Sequence, residues 1–170
     1  DLIRSRGLGD VYKRQVSPAK RSFGTYDVLS SRKKLQDCVI KTEIPNLDVI
    51  TANENLLGVE IELSADEDRA IKLRETLRST TSGQKNYDFI LLDCPPALNI
   101  ITLNALAASD GAIVPLQAEF YALEGLSQLL KTIDGISSTI NDRLKLSGVI
   151  LTMFDKRNNL SLQVEEDVRA

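Results

Sequence analysis

Strands alternating with amphipathic helices predict an α/β fold, a mostly parallel sheet flanked by helices on both faces. Three observations carry this prediction. First, Phe89, Ile90, Leu91 and Leu92 form an uninterrupted apolar run that ends at Asp93, with Pro95 and Pro96 just beyond. A run so short and so apolar is the pattern of a strand buried on both faces, and the prolines cannot continue a ladder. Second, residues 111–116 and 146–154 are further apolar stretches that read as strands. Third, residues 123–140 set Leu126, Leu129, Leu130, Ile133 and Ile136 on one helical face.

The remaining elements follow in chain order. Residues 25–35 read as a short helix capped by Thr25, with Val28, Leu29 and Leu35 apolar. Residues 47–51 follow the breaker Pro45-Asn46 and read as a strand. Residues 53–63 form a helical turn or short helix. Residues 66–79 predict an amphipathic helix, because Ala70, Leu73 and Leu77 recur at helical spacing between charges. Residues 80–86 are a polar loop, residues 89–93 the strand already described, and residues 99–109 a helix. A helical pattern opens again at Leu160 and runs to Ala170. The chain carries no internal repeat and no low-complexity tract.

Composition narrows the function classes. The 170 residues suit one domain, and 42% hydrophobic with 26% charged residues is ordinary for a soluble globular protein. No stretch approaches the about 18 apolar residues of a membrane span, so no membrane partner is expected. The opening residues lack the apolar core of a secretory leader. A net charge of −3 exerts no global pull on nucleic acid, so any such binding needs a local patch. Cys38 and Cys94 have no metal-ligand spacing and are expected to be reduced thiols. With no histidine, the chain builds neither a His-based zinc site nor a Ser-His-Asp triad.

Asp93 is the first candidate site residue. An acid delivered to the carboxyl edge of a parallel sheet stands where open α/β folds bind ligands. Its alternatives are a magnesium-holding carboxylate beside a nucleotide and a solvated turn that merely ends the strand. The residues that follow bear on the choice. Asp93-Cys94-Pro95-Pro96-Ala97-Leu98 is succeeded by Thr102-Leu103-Asn104-Ala105-Leu106. Then come residues 114–125, Val-Pro-Leu-Gln-Ala-Glu-Phe-Tyr-Ala-Leu-Glu-Gly, and Leu126-Ser127-Gln128-Leu129-Leu130. In this order and spacing, residues 87–133 resemble the ParA/Soj family of partition ATPases. Weaker similarity extends over residues 25–170.

The resemblance implies a P-loop NTPase-like fold, ATP and Mg2+ as cofactors, and a cytoplasmic, nucleoid-associated location. It also implies an ATP-dependent homodimer, non-specific DNA binding, and a ParB-type centromere-binding partner that stimulates hydrolysis. Asp93 then becomes the catalytic, magnesium-linked aspartate, with Pro95 and Pro96 near the γ-phosphate, although both prolines also serve simply to end the strand. Glu119, Tyr121 and Glu124 fall at the implied dimer interface, while Glu124 equally suits a helix start on dipole grounds. Met153 and Asp155 fall near the adenine, where Asp155 would accept from the exocyclic amine; its other reading is a helix cap. Arg157, with Lys156, becomes the implied DNA contact through counterion release, against the alternative of solvated loop charges. Lys131, Arg143 and Lys145 would extend that patch.

Three family features are missing from the sequence: the Gly-rich phosphate loop ending in Lys and Ser/Thr, the Asp-x-Asp-Pro segment, and the C-terminal portion with its last strand and helix. The chain is therefore expected to be an internal fragment that does not hydrolyse ATP alone. Residues 1–15, basic through Arg4, Arg6, Lys13 and Arg14, are expected to be an adapter-derived tail joined to a partial ATPase domain at residues 16–170. The rival readings are a MinD-like division-site ATPase and a non-catalytic binding domain descended from such an enzyme.

Overall fold

The computed structural model describes residues 16, 22–81, 87–119 and 122–169. The tail expected at residues 1–15, most of the polar loop at 80–86, and Tyr121 lie outside the described residues. The chain divides into two units, Asp1–Ala108 and Ser109–Ala170.

The first unit is mainly helical. Helix α1 (Thr25–Leu29) opens with Asp27 Oδ2 accepting from Gly24 N at 2.9 Å. It stops well short of the expected residue 35. The Ser30 hydroxyl donates to Tyr26 O at 2.7 Å, and Ser31 turns left-handed at φ 58. Serine side chains that bond local backbone compete with helix propagation in this way. Helix α2 (Leu35–Cys38) follows and buries Cys38.

Strands β1 (Ile40–Lys41) and β2 (Asp48–Val49) then pair antiparallel. Only the second was expected. The turn between them places Asn46 at φ 63, a conformation asparagine tolerates better than most residues. The Asp48 carboxylate accepts from Lys41 Nζ at 2.5 Å and from Tyr87 Oη at 2.6 Å, which fastens the hairpin to the segment entering residue 88.

A 3₁₀ turn (Glu54–Gly58), started by Asn53 Oδ1 accepting from Asn55 N, leads into helix α3 (Val59–Glu62). Helix α4 (Lys72–Thr81) begins later than its apolar spacing predicts. Asp66 bonds Asp68 N through Oδ1 and Arg69 N through its carbonyl, so residues 67–71 close as successive turns. Helix α5 (Ile100–Ala108) completes the unit. Leu29, Val59, Leu63, Leu73 and Ile100 form its core. Asn104 lies fully buried there and ties α5 to the start of α4: its Nδ2 donates to Arg69 O and Ile100 O, and its Oδ1 accepts from Leu73 N.

The expected strand at 89–93 is corrected. Residues 89–95 form no ladder with any described residue. Phe89, Ile90 and Leu91 are 86%, 50% and 71% exposed instead of buried on two faces. A run this apolar becomes a strand only when neighbours satisfy its backbone groups and cover its side chains; Leu92 packs against the core, but no described strand pairs with the run.

The second unit contains the parallel layer. Strands β3 (Gly111–Gln117) and β4 (Lys145–Thr152) pair in parallel from Gly111↔Lys145 to Gln117↔Thr152, with one slip between Ala112 and Ile113. Helix α6 (Ala122–Thr139) connects them, and helix α7 (Asn159–Arg169) follows β4. Val114 and Leu116 of β3 are buried with Ala118, Leu126 of α6 and Val164 of α7, while Val149 and Leu151 of β4 pack against them. Alternate residues Ile113, Pro115 and Ile150 face the opposite way and are exposed. The apolar stripe of α6 is as expected, with Leu126, Ile133 and Ile136 buried. Asn141 Nδ2 donates to Ser109 O at 2.7 Å, which holds the loop before β4 against the segment before β3.

Candidate functional site

In the first unit, Asp93 sits on the exposed extended segment with Pro95 and Pro96. The segment is held from its carboxyl side. Asn99 caps α5 by accepting from Ile101 N at 3.1 Å and Thr102 N at 3.3 Å. Thr102, buried on α5, donates its hydroxyl to Ala97 O at 2.7 Å and lies 3.5 Å from Pro95 O. A helix cap and one buried hydroxyl therefore fix the chain two to six residues beyond Asp93. Neither role was inferred from the sequence. Asn99 carried a usable signal, since asparagine immediately before an apolar helix favours a cap. Thr102 carried a weaker one, as a hydroxyl among the apolar residues of that helix.

Cys94 follows Asp93 and is exposed, with its Sγ 3.8 Å from Leu92 O. Desolvation of the thiol, and secondarily the Asp93 carboxylate, push its pKa up. A thiol held neutral is a poor nucleophile, so the chemistry available at this segment belongs to the carboxylate.

In the second unit, β3 and β4 end side by side, since Gln117 faces Thr152. The residues that follow both strands consequently emerge at one carboxyl edge. On the β3 side, Glu119 is exposed in a turn, its N–H donating to Gln117 O while its carbonyl accepts from Ala122 N. Glu124 stands in the first turn of α6, where a carboxylate complements the helix dipole. On the β4 side, Met153 is left-handed at φ 53 and 81% exposed. A left-handed residue directly after a strand turns the chain sharply and sets Asp155 to Arg157 in a tight turn.

That turn joins two residues expected to act separately. Asp155 Oδ1 accepts from Arg157 N at 2.9 Å and from Arg157 Nε at 3.0 Å, and Asp155 Oδ2 accepts from an Arg157 Nη atom at 2.8 Å. The guanidinium bonds and then the backbone N–H hold the Asp155 carboxyl below the usual carboxylate range, and the same pairing raises Arg157. Asp155 does not cap the following helix. Asn158 does, with Oδ1 accepting from Leu160 N at 3.0 Å. Lys156 is exposed beside the pair.

Arg143 and Lys145 do not extend this patch. They lie at the amino end of β4, and an eight-residue strand separates them from Arg157 by roughly 25 Å at about 3.3 Å per residue. Lys131 stands midway along α6, exposed. Among the described residues no cluster of carboxylates and cysteines has metal-binding geometry. Among the same residues no helix is long and apolar enough to cross a membrane.

A parallel α/β layer with acidic and basic loops at its carboxyl edge defines the class as an open α/β fold, whose ligands bind at that edge. A family model described as an AAA domain matches residues 10–146. The chain is 46% identical over 166 residues to the chromosome partitioning protein ParA of Caulobacter vibrioides, covering 98% of this chain and 60% of that protein. It is 45% identical over 144 residues to the sporulation initiation inhibitor protein Soj of Bacillus subtilis, covering 85% of this chain and 56% of that one. Among solved structures, cobyrinic acid a,c-diamide synthase from Mycobacterium smegmatis with bound ADP and magnesium superposes at a TM-score of 0.82. It shares 31% identity over 94% of this chain and 63% of its own. The chain belongs to the ParA/Soj family of partition ATPases. It spans about 60% of the length of the first curated relatives it matches.

Proposed function

We propose that the protein carrying this sequence is a ParA-type ATPase that partitions chromosomes or plasmids. It binds MgATP, dimerises around the nucleotides, binds DNA without sequence preference, and releases it when a ParB-type partner stimulates hydrolysis. The observation that carries this reading is the carboxyl edge of β3 and β4, which gathers Glu119, Glu124, Met153, Asp155, Lys156 and Arg157. Family membership supports ATP as the nucleotide, and the M. smegmatis relative's bound ADP and magnesium support the metal.

The residues present fit that cofactor at two places. Asp93 is a solvent-accessible carboxylate on a segment anchored by Asn99 and Thr102, which suits a magnesium ligand or a ligand to its waters. Asp155 has four lone-pair sites and uses three, so one remains on Oδ2 for an exocyclic amine. Magnesium would neutralise charge developing on the transferred phosphoryl group. Tyr121, Glu119 and Glu124 would meet a second copy, Pro95 and Pro96 would lie near the γ-phosphate, and Met153 would border the base. Cytoplasmic, nucleoid-associated location follows from the same reading.

The test is duplex-DNA binding by the full-length protein with MgATP, with MgADP and without nucleotide, alongside its mass in solution. ATP-dependent dimerisation together with ATP-dependent, sequence-blind binding is expected. Nucleotide-independent behaviour in both assays would remove the proposal.

A further inference from the structure

The Asp155–Arg157 pair carries an inference that rests on the DNA-binding reading and deepens it. The two side-chain bonds of the pair use the guanidinium edge a phosphate would need. Arg157 presents Nε and one Nη to the two oxygens of Asp155, and this side-on fork is the arrangement by which guanidinium binds a phosphate. The carboxylate is itself fixed, because its Oδ1 also accepts from Arg157 N. The guanidinium projects from the surface with its side chain 91% exposed, so a DNA backbone has access to it. Lys156 beside it forms no ion pair with any described residue. The exposed turn therefore holds one open cation and one cation whose charge is already matched.

We propose that Asp155 is an internal competitor for Arg157: its carboxylate occupies the phosphate-binding edge of the guanidinium and restrains this chain's affinity for nucleic-acid backbone. A phosphate reaching Arg157 must displace the carboxylate or bind a guanidinium whose net charge is neutralised. Either way the contact releases less of the counterion atmosphere than a free arginine would. Asp155 thereby acts through Arg157 without touching the DNA.

Asp155→Asn separates charge from geometry. Its amide keeps Oδ1, so the turn to Arg157 N is retained, while the negative charge is lost. The experiment measures affinity for short mixed-sequence duplex DNA from about 50 to 200 mM salt, using the full-length protein with MgATP. The proteins are wild type, Asp155→Asn, Arg157→Ala and the double variant. Arg157→Ala is expected to weaken binding and to reduce the salt slope by less than the about 0.9 of a free cation. Asp155→Asn is expected to tighten binding roughly three- to tenfold at low salt and to steepen the slope by up to about 0.9. The gain should vanish in the Arg157→Ala background. All four proteins are compared at saturating MgATP, so that an effect of Asp155 on nucleotide affinity does not enter.

If Arg157→Ala weakens binding while Asp155→Asn leaves it unchanged or weakens it, the competitor role is overturned and the DNA contact stands. If Asp155→Asn tightens binding equally in both backgrounds, the carboxylate acts by general repulsion and the pairing is overturned. If Arg157→Ala has no effect, the DNA contact and the competition fall together.

Discussion

Replacing Asn104 by leucine tests how the first unit holds the helix that anchors the Asp93 segment. The substitution keeps the branching at Cγ and removes every side-chain hydrogen bond. Asn104 Nδ2 donates to Arg69 O at 2.6 Å and to Ile100 O at 2.9 Å, and Oδ1 accepts from Leu73 N at 3.1 Å. Ile100 O keeps its bond within α5 from the backbone of residue 104. Leu73 N is one of the first N–H groups of α4, which have no carbonyl partner within the helix, and Arg69 O precedes that helix. Two backbone groups beside the core are therefore left short of a partner. At about 1–3 kcal/mol each, the expected loss is about 2–6 kcal/mol. That is a large part of the about 5–15 kcal/mol available to a typical domain. Urea unfolding of the 170-residue chain, followed by circular dichroism, reads it directly. With a slope of about 2 kcal/mol per molar urea, the midpoint should fall by about 1–3 M. A fall under about 0.5 M would show that Asn104 does not join α4 to α5 as argued.

Three further outcomes follow from the same structure. A Cβ at position 24 would meet Thr51 O at 2.2 Å, beside the 2.8 Å bond from Thr25 N to the same oxygen; Gly24→Ala should cost about 1–3 kcal/mol of unfolding free energy, and an unchanged midpoint would contradict the close approach. Thr102→Val keeps shape but loses the hydroxyl bonded to Ala97 O; the expected loss is about 1–2 kcal/mol, with faster amide exchange at residues 97–102, and unchanged exchange would refute the anchor. The Asp66 carboxyl lies below its ordinary range because of the Lys72 ammonium first and the Asp68 N–H second. Its contribution is thus present above the unfolded carboxylate pKa of about 3.9 and lost as pH falls through the lower native value. The midpoint difference between wild type and Asp66→Asn should accordingly close on acidification, and a difference that persists at the lowest pH would contradict the assignment.

How much of this was legible in the sequence depends on where the determining contacts lie. Helix α6 and the strands on either side of it were readable because their periodicities are satisfied within one short stretch: Leu126 packs with Val114 and Leu116 in one core, and Ile133 and Ile136 are buried further along the same stripe. The run at 89–93 was misread because its apolarity reports a demand for neighbours and not their presence. Strand β1 was missed because two residues carry almost no periodic signal, although Pro45-Asn46 marked the turn. At the candidate site, motif order brought out Asp93, Asp155 and Arg157. The bond between the last two was not legible, since a two-residue separation says nothing about whether charges turn towards each other. Asn104 was quoted as a motif residue without a role, because its partners lie 31 and 35 residues earlier in the chain.

The most direct test of the central claim is magnesium-dependent ATP turnover by the full-length protein, wild type against Asp93→Asn. Turnover is expected in the wild type, with a loss of about 100-fold in the variant while the protein stays folded. Equal turnover in the two proteins would contradict the role of Asp93, and a folded, full-length wild type without turnover would contradict the ATPase itself.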